Sequence, residues 1–142
     1  MTRRRFRAMG TDVELIVAAD RARAQLDAAE AEFHRLERLL TRFDPGSELS
    51  RLNEQGSLEA GPDLLEVVEL ALAGREQTGG RFDPTVHDAV VEAGYDRTFD
   101  ELPNDGPAPA PGLLCGGAIR IDGNLIELDP GVPGFADMGV TP

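Results

Sequence analysis

The chain contains no lysine and no tryptophan, and it has a single cysteine, Cys115, and a single tyrosine. Without lysine, Schiff-base chemistry and a P-loop lysine are excluded. One cysteine excludes an intrachain disulfide framework and a cysteine cluster for zinc. The apolar neighbours of Cys115 in "GLLCGG" read as the surroundings of a buried structural thiol. Positive charge is scarce: 14 arginines stand against 26 acidic residues, for a net charge of -12. Such a field repels polyphosphate backbones, so nucleic acid is excluded as a partner. No apolar run is long enough to cross a membrane. "TRRRF" has the look of a twin-arginine export signal, but Asp12 and Glu14 interrupt the apolar stretch that export requires. The sequence therefore reads as cytoplasmic, with Arg3, Arg4, Arg5 and Arg7 forming a solvated arm.

What is present suits one soluble domain with a core, since 41% of the 142 residues are hydrophobic. From Thr11 to Ala18, Val13, Leu15 and Val17 recur with period two, which predicts a strand. From about Asp20 to Leu40, Leu26, Ala29, Phe33, Leu36 and Leu40 recur at steps of three and four, which predicts an amphipathic helix. Its acidic residues Asp27, Glu30, Glu32 and Glu37 read as a wet face. A turn at Asp44-Pro45-Gly46 precedes a short helix that Ser47 caps, running to about Asn53. Pro62 opens a second long helix carrying Leu65, Val68 and Leu72 inward and ending at Gly79-Gly80. Pro84 opens a third, with Val86, Ala89, Val90 and Ala93 before Gly94.

"LPNDGPAPAPG" holds four prolines and predicts an extended loop. Beyond it, Ile119 and Ile121 lead through Asp122-Gly123-Asn124 into Leu125, Ile126 and Leu128, a hairpin with no further strand to pair with. Strands at both ends with helices between them predict an α+β fold. His34 and His87 are too separate to be read as a metal pair.

The window "GGRFDPTV", Gly79 to Val86, carries the most local constraint. Gly79 and Gly80 accept the positive φ that ends a helix, and Pro84 pushes Asp83 out of the α region. In one reading Asp83 caps the following helix and Phe82 anchors the core. In the other, a helix N-terminus with free N–H groups, an aromatic face and a carboxylate holds the polar and ring parts of a nucleotide. Local spacing leaves both open.

Three windows in order, "FRAMGTDVEL", "LTRFDPGSELSRLN" and "GGRFDPTV", resemble the ApbE family of flavin transferases, the FAD:protein FMN transferases, and "ELDPGV" after the hairpin fits the same family. The resemblance implies an enzyme that cleaves the pyrophosphate of FAD with Mg²⁺, moves FMN onto a Thr or Ser hydroxyl of a flavin-acceptor target protein and releases AMP. It also implies FAD-contacting roles for Met9, for Phe43 where relatives often carry Tyr, and for Arg81, Phe82 and Asp83. No catalytic residue and no metal ligand is carried over, because the family places its Mg²⁺ ligands in a second half.

The expected architecture is the N-terminal part of an ApbE-like fold, a mixed or antiparallel sheet with three main helices, incomplete at its C-terminus. Residues 1–132 form that part and residues 133–142 a non-matching tail, in which Asp137 fits two alignments and takes no role. The expected chain is thus truncated, with an exposed sheet edge open to self-association. Two other functions fit the same residues: a non-catalytic flavin-binding remnant, or an acidic protein-interaction module.

Overall fold

The computed structural model describes residues 1–19, 22–94 and 116–135. The proline-rich segment, Cys115 and Asp137 lie outside the described residues. The elements are β1 (Thr2–Ala8), β2 (Thr11–Val17), α1 (Arg23–Leu40), α2 (Glu48–Gln55), β3 (Ser57–Glu59), α3 (Pro62–Gln77), α4 (His87–Glu92), β4 (Ile119–Asp122) and β5 (Leu125–Leu128). This is the expected α+β arrangement of antiparallel sheets and helices, with α4 as the helix expected after Pro84 and α2 as the short helix expected after Ser47.

The arginine-rich N-terminus is a strand and not a solvated arm. Strand β1 pairs with β2 from Thr2↔Val17 to Ala8↔Thr11. Arg3, Arg5 and Arg7 face solvent, while Arg4, Phe6 and Ala8 turn inward, so the period-two pattern exists but is written in arginine stems rather than aliphatic side chains. Met9 and Gly10 join the strands with φ of 52° and 67°, the backbone sign that a two-residue type I′ turn requires.

Helix α1 covers the inner face of this hairpin. Phe6 meets Phe33 edge-to-face, with centroids 5.5 Å apart. The acidic residues of α1 are correspondingly not a wet face alone. Arg4 pairs with Asp27 and, at 2.9 Å, with Glu30, and Glu37 accepts the backbone N–H of Met9 at 2.6 Å.

The second sheet corrects the expectation that the β4–β5 hairpin lacks a partner. Its order is β3-β5-β4, with Leu58 opposite Ile126 on one side and Ile121 opposite Ile126 on the other. Strand β3 has three residues, too few to show a period in sequence.

The helical boundaries follow their caps. Ser47 accepts the N–H of Ser50 at 3.0 Å at the start of α2, which ends on Gly56 at φ 71°. Pro62 opens α3 as expected, but the fully buried pair on this helix is Leu64 and Val68, with Leu65 and Leu72 half-buried. The core comprises Leu40, Leu49, Leu52, Ala60, Leu64, Val68, Ile126 and Phe135. Phe135, from the segment read as a tail, has no exposed surface. Helix α4 starts at His87, three residues after Pro84. Among the described residues no helix is long and apolar enough to cross a membrane.

Candidate functional site

The corner after α3 is built from main-chain bonds to small polar side chains. Gly79 and Gly80 have φ of 61° and 81°, which lets the Gly80 N–H return to the Arg75 carbonyl at 2.8 Å. The Thr78 hydroxyl donates to the Gly74 carbonyl at 2.9 Å and accepts the Phe82 N–H at 3.0 Å.

Asp83 does not cap α4. Its Oδ1 accepts both the N–H and the hydroxyl of Thr85, at 2.9 and 2.6 Å, and the N-cap residue of α4 is Val86, which makes no side-chain cap. An Asx turn closes within two residues and occupies Oδ1 before the helix begins. Thr85 is fully buried, and its hydroxyl accepts the Gly116 N–H at 3.0 Å. The corner is thereby tied to a segment far along the chain. Arg75 adds a second tie, donating to the Gly117 carbonyl at 3.0 Å.

Two further expectations are corrected. Phe82 is 47% exposed rather than a core anchor; its ring lies over Gly74, where an added Cβ would sit 3.3 Å from Phe82 Cδ1. The N-terminus of α4 does not present all its N–H groups, because that of His87 donates to the Gly134 carbonyl at 3.2 Å.

Met9 and Phe43 meet the same end of α1. Met9 is fixed through Glu37. Phe43 follows the helix with its N–H on the Thr41 hydroxyl at 3.2 Å, and the Arg42 guanidinium stands 4.3 Å over its ring. Arg81 is exposed.

A cleft of about 390 Å³ opens between α2 and the start of α4, lined by Arg42, Ser50, Asn53, Glu54, His87, Asp88, Val132 and Gly134. None of the five sequence-derived site residues is in this lining; Phe43 is next in sequence to Arg42, and three residues separate Asp83 from His87. Sequence reasoning missed Asn53, although it ends the quoted window "LTRFDPGSELSRLN". Asn53 binds Phe135, 82 residues away, a contact that no local pattern displays. His87, too far along the chain from His34 to suggest a metal pair, bonds Asp88 at 3.0 Å. Among the described residues no group of three or more His, Cys, Asp or Glu could hold a metal ion.

The fold is that of solved ApbE proteins. The chain is similar to the ApbE protein from Thermotoga maritima, at 22% identity and a TM-score of 0.82, over 97% of this chain and 47% of that one. It is also similar to the flavin transferase ApbE from Vibrio cholerae, at 19% identity and a TM-score of 0.65, over 97% of this chain and 48% of that one. The H257G mutant of the Vibrio cholerae protein gives 21% identity and a TM-score of 0.64, over 96% and 50%. The chain thus spans about half the length of these solved relatives. No curated protein matches it by sequence. The profile of the ApbE family matches residues 9–111, and with that match covering most of the sequence, the chain belongs to the ApbE family.

Proposed function

We propose that this chain supplies part of the flavin-nucleotide site of an FAD:protein FMN transferase that acts in the cytoplasm. The observation that carries the reading is Phe82, a large aromatic ring 47% exposed on a corner locked by Thr78, Asp83 and Thr85. An exposed ring on a rigid support is a stacking surface held ready for a flat partner. The cleft between α2 and the start of α4, at about 390 Å³, lies within the usual range of ligand pockets, about 300–1,000 Å³, and suits one end of a dinucleotide.

In this reading the five residues divide the ligand between them. Phe43, its ring backed by Arg42, and Phe82 offer aromatic faces, and Phe43 lacks the hydroxyl that a Tyr would add. Arg81 offers an exposed guanidinium to phosphate oxygens. Asp83 has its Oδ1 committed to Thr85, which leaves Oδ2 for a ligand donor. Met9, held in the β1–β2 turn by Glu37, is assigned a flavin contact by the family resemblance.

The reaction is transfer of the FMN phosphoryl group from the pyrophosphate of FAD to a Thr or Ser hydroxyl of an acceptor protein. One P–O bond to the leaving AMP breaks, one P–O bond to the acceptor forms, and the hydroxyl proton is released. Among the described residues no cluster of three or more carboxylate, imidazole or thiol groups fits Mg²⁺. The contribution of this chain is binding and orientation of the nucleotide, which together with electrostatic stabilisation make up catalysis in such transfers.

Titration of the chain against FAD, followed by flavin fluorescence, tests the reading. Saturable quenching is expected, weakened in Phe43→Ala and in the surface variant Phe82→Ala. Absence of saturation up to about 1 mM FAD, the upper end of common substrate affinities, overturns it.

A further inference from the structure

The segment Val132 to Phe135 forms a strap that lines the cleft through Val132 and Gly134. It is held by an unusual two-point bond from one side chain. Asn53 Nδ2 donates to the Phe135 carbonyl at 2.9 Å, and Asn53 Oδ1 accepts the Phe135 N–H at 2.7 Å. One amide side chain thus binds the donor and the acceptor of a single residue, as a neighbouring strand would. The His87 N–H takes the Gly134 carbonyl at 3.2 Å, so α2 and α4 grip the same strap from two sides.

The fit leaves no slack. A Cβ at Gly134 would lie 2.7 Å from Asn53 Cγ and Oδ1, and a Cβ at Gly117 would lie 2.3 Å from Val132 Cγ2. Beyond the clamp, the Phe135 ring is fully buried in the core. Asn53 itself lines the cleft, so the residue that fixes the strap lines the same space as the strap does.

We propose that Asn53 is the positioning residue of this cleft: its side-chain amide clamps the Phe135 backbone and so sets the Val132–Gly134 wall against which the flavin nucleotide binds. The proposal rests on the flavin reading of the cleft only for its ligand; the clamp is a property of the chain alone.

Asn53→Asp separates positioning from packing because it keeps the shape and changes one donor. Ionised, the substituted carboxylate accepts the Phe135 N–H but faces the Phe135 carbonyl oxygen with no proton to give. Protonated, it donates O–H to that carbonyl and restores both bonds. Partial burial and the facing carbonyl oxygen, which accepts a bond only from the protonated form, both favour that form, so restoration begins above the ordinary carboxylate range.

The test uses the full chain and two readouts. Amide exchange at His87 and Phe135, corrected for intrinsic rates and measured without FAD, is expected to quicken in Asn53→Asp at pH of about 8 and to return towards wild type at about 5. It is expected to stay fast in Asn53→Ala at both. FAD affinity is expected to follow the same pattern, with a loss of roughly tenfold at the higher pH. Exchange unchanged in both variants, or a loss of affinity in Asn53→Asp that ignores pH, overturns the clamp. Clamp-dependent exchange in a wild-type chain that binds no FAD retains the clamp and overturns the flavin reading instead.

Discussion

Arg35 grips Asp63 with two nitrogens, Nη1 donating to Oδ2 at 2.8 Å and Nη2 to Oδ1 at 3.0 Å, and so bolts the middle of α1 to the first turn of α3. The same guanidinium donates through Nε and Nη2 to Glu32, at 2.8 and 2.7 Å. Hydrogen bonding from Arg35 holds both carboxyls below their ordinary values, against a smaller opposing effect of desolvation, and the two carboxylates hold Arg35 firmly protonated.

The sign of the pH dependence follows from these directions. A carboxyl with a depressed folded pKa adds stability that is present above its unfolded value, about 4, and is lost as pH falls through the folded value. The melting temperature is therefore expected to decline on the acid side, and Asp63→Asn to flatten that decline while leaving the Glu32 contribution in place. Melting curves between pH of about 7 and 3 check this. An acid limb as steep in the variant as in the wild type contradicts it.

Ser47→Ala removes the cap of α2. The Ser47 hydroxyl accepts the Ser50 N–H at 3.0 Å and donates to the Thr41 carbonyl at 2.5 Å, in a position 3% exposed. A loss of about 1–2 kcal/mol is expected, read as a lower urea midpoint at constant slope. Full retention of the midpoint contradicts the assignment.

Thr85→Val keeps the shape of a buried side chain but deletes the hydroxyl that joins Asp83 to Gly116. The expected cost is about 1–3 kcal/mol, because two partners lose their bond. Thr85→Ser restores the hydroxyl and loses only a methyl, about 1 kcal/mol. Urea unfolding of the pair checks the order, and a Ser variant less stable than the Val variant reverses the argument.

Gly117→Ala and Gly123→Ala compare steric and conformational demands. Gly123 has φ 61° with open space around its missing Cβ, whereas Gly117 has φ 140° and meets Val132. The first should lose about 1–2 kcal/mol from the left-handed backbone alone, and the second should lose more through overpacking. Val132→Ala in the Gly117→Ala background should recover part of the difference in a thermal melt. Equal losses at the two glycines contradict the packing argument.

Features closed within a few residues were legible in the sequence. Ser47 caps α2, Pro62 opens α3 and Gly123 turns the β4–β5 hairpin where the residue types placed them. The candidate site was legible only as a set of family windows. Asp83 looked like a helix cap because Pro84 follows it, yet the competing donor was Thr85, two residues on. Phe82 looked like core because it is aromatic, but the smooth surface at Gly74 lets its ring lie outside α3.

The sequence by itself determined the long helices α1 and α3, the caps, the turns and membership of the ApbE family, because periodicity and turn chemistry act between near neighbours. Tertiary structure alone decided that four N-terminal arginines stand in a paired strand, that the three residues of β3 add to β5, and that Phe135 fills the core under the Asn53 clamp. In each of those cases the group that satisfies the backbone or covers the side chain is brought by a distant stretch of chain. No local pattern records which partner will arrive.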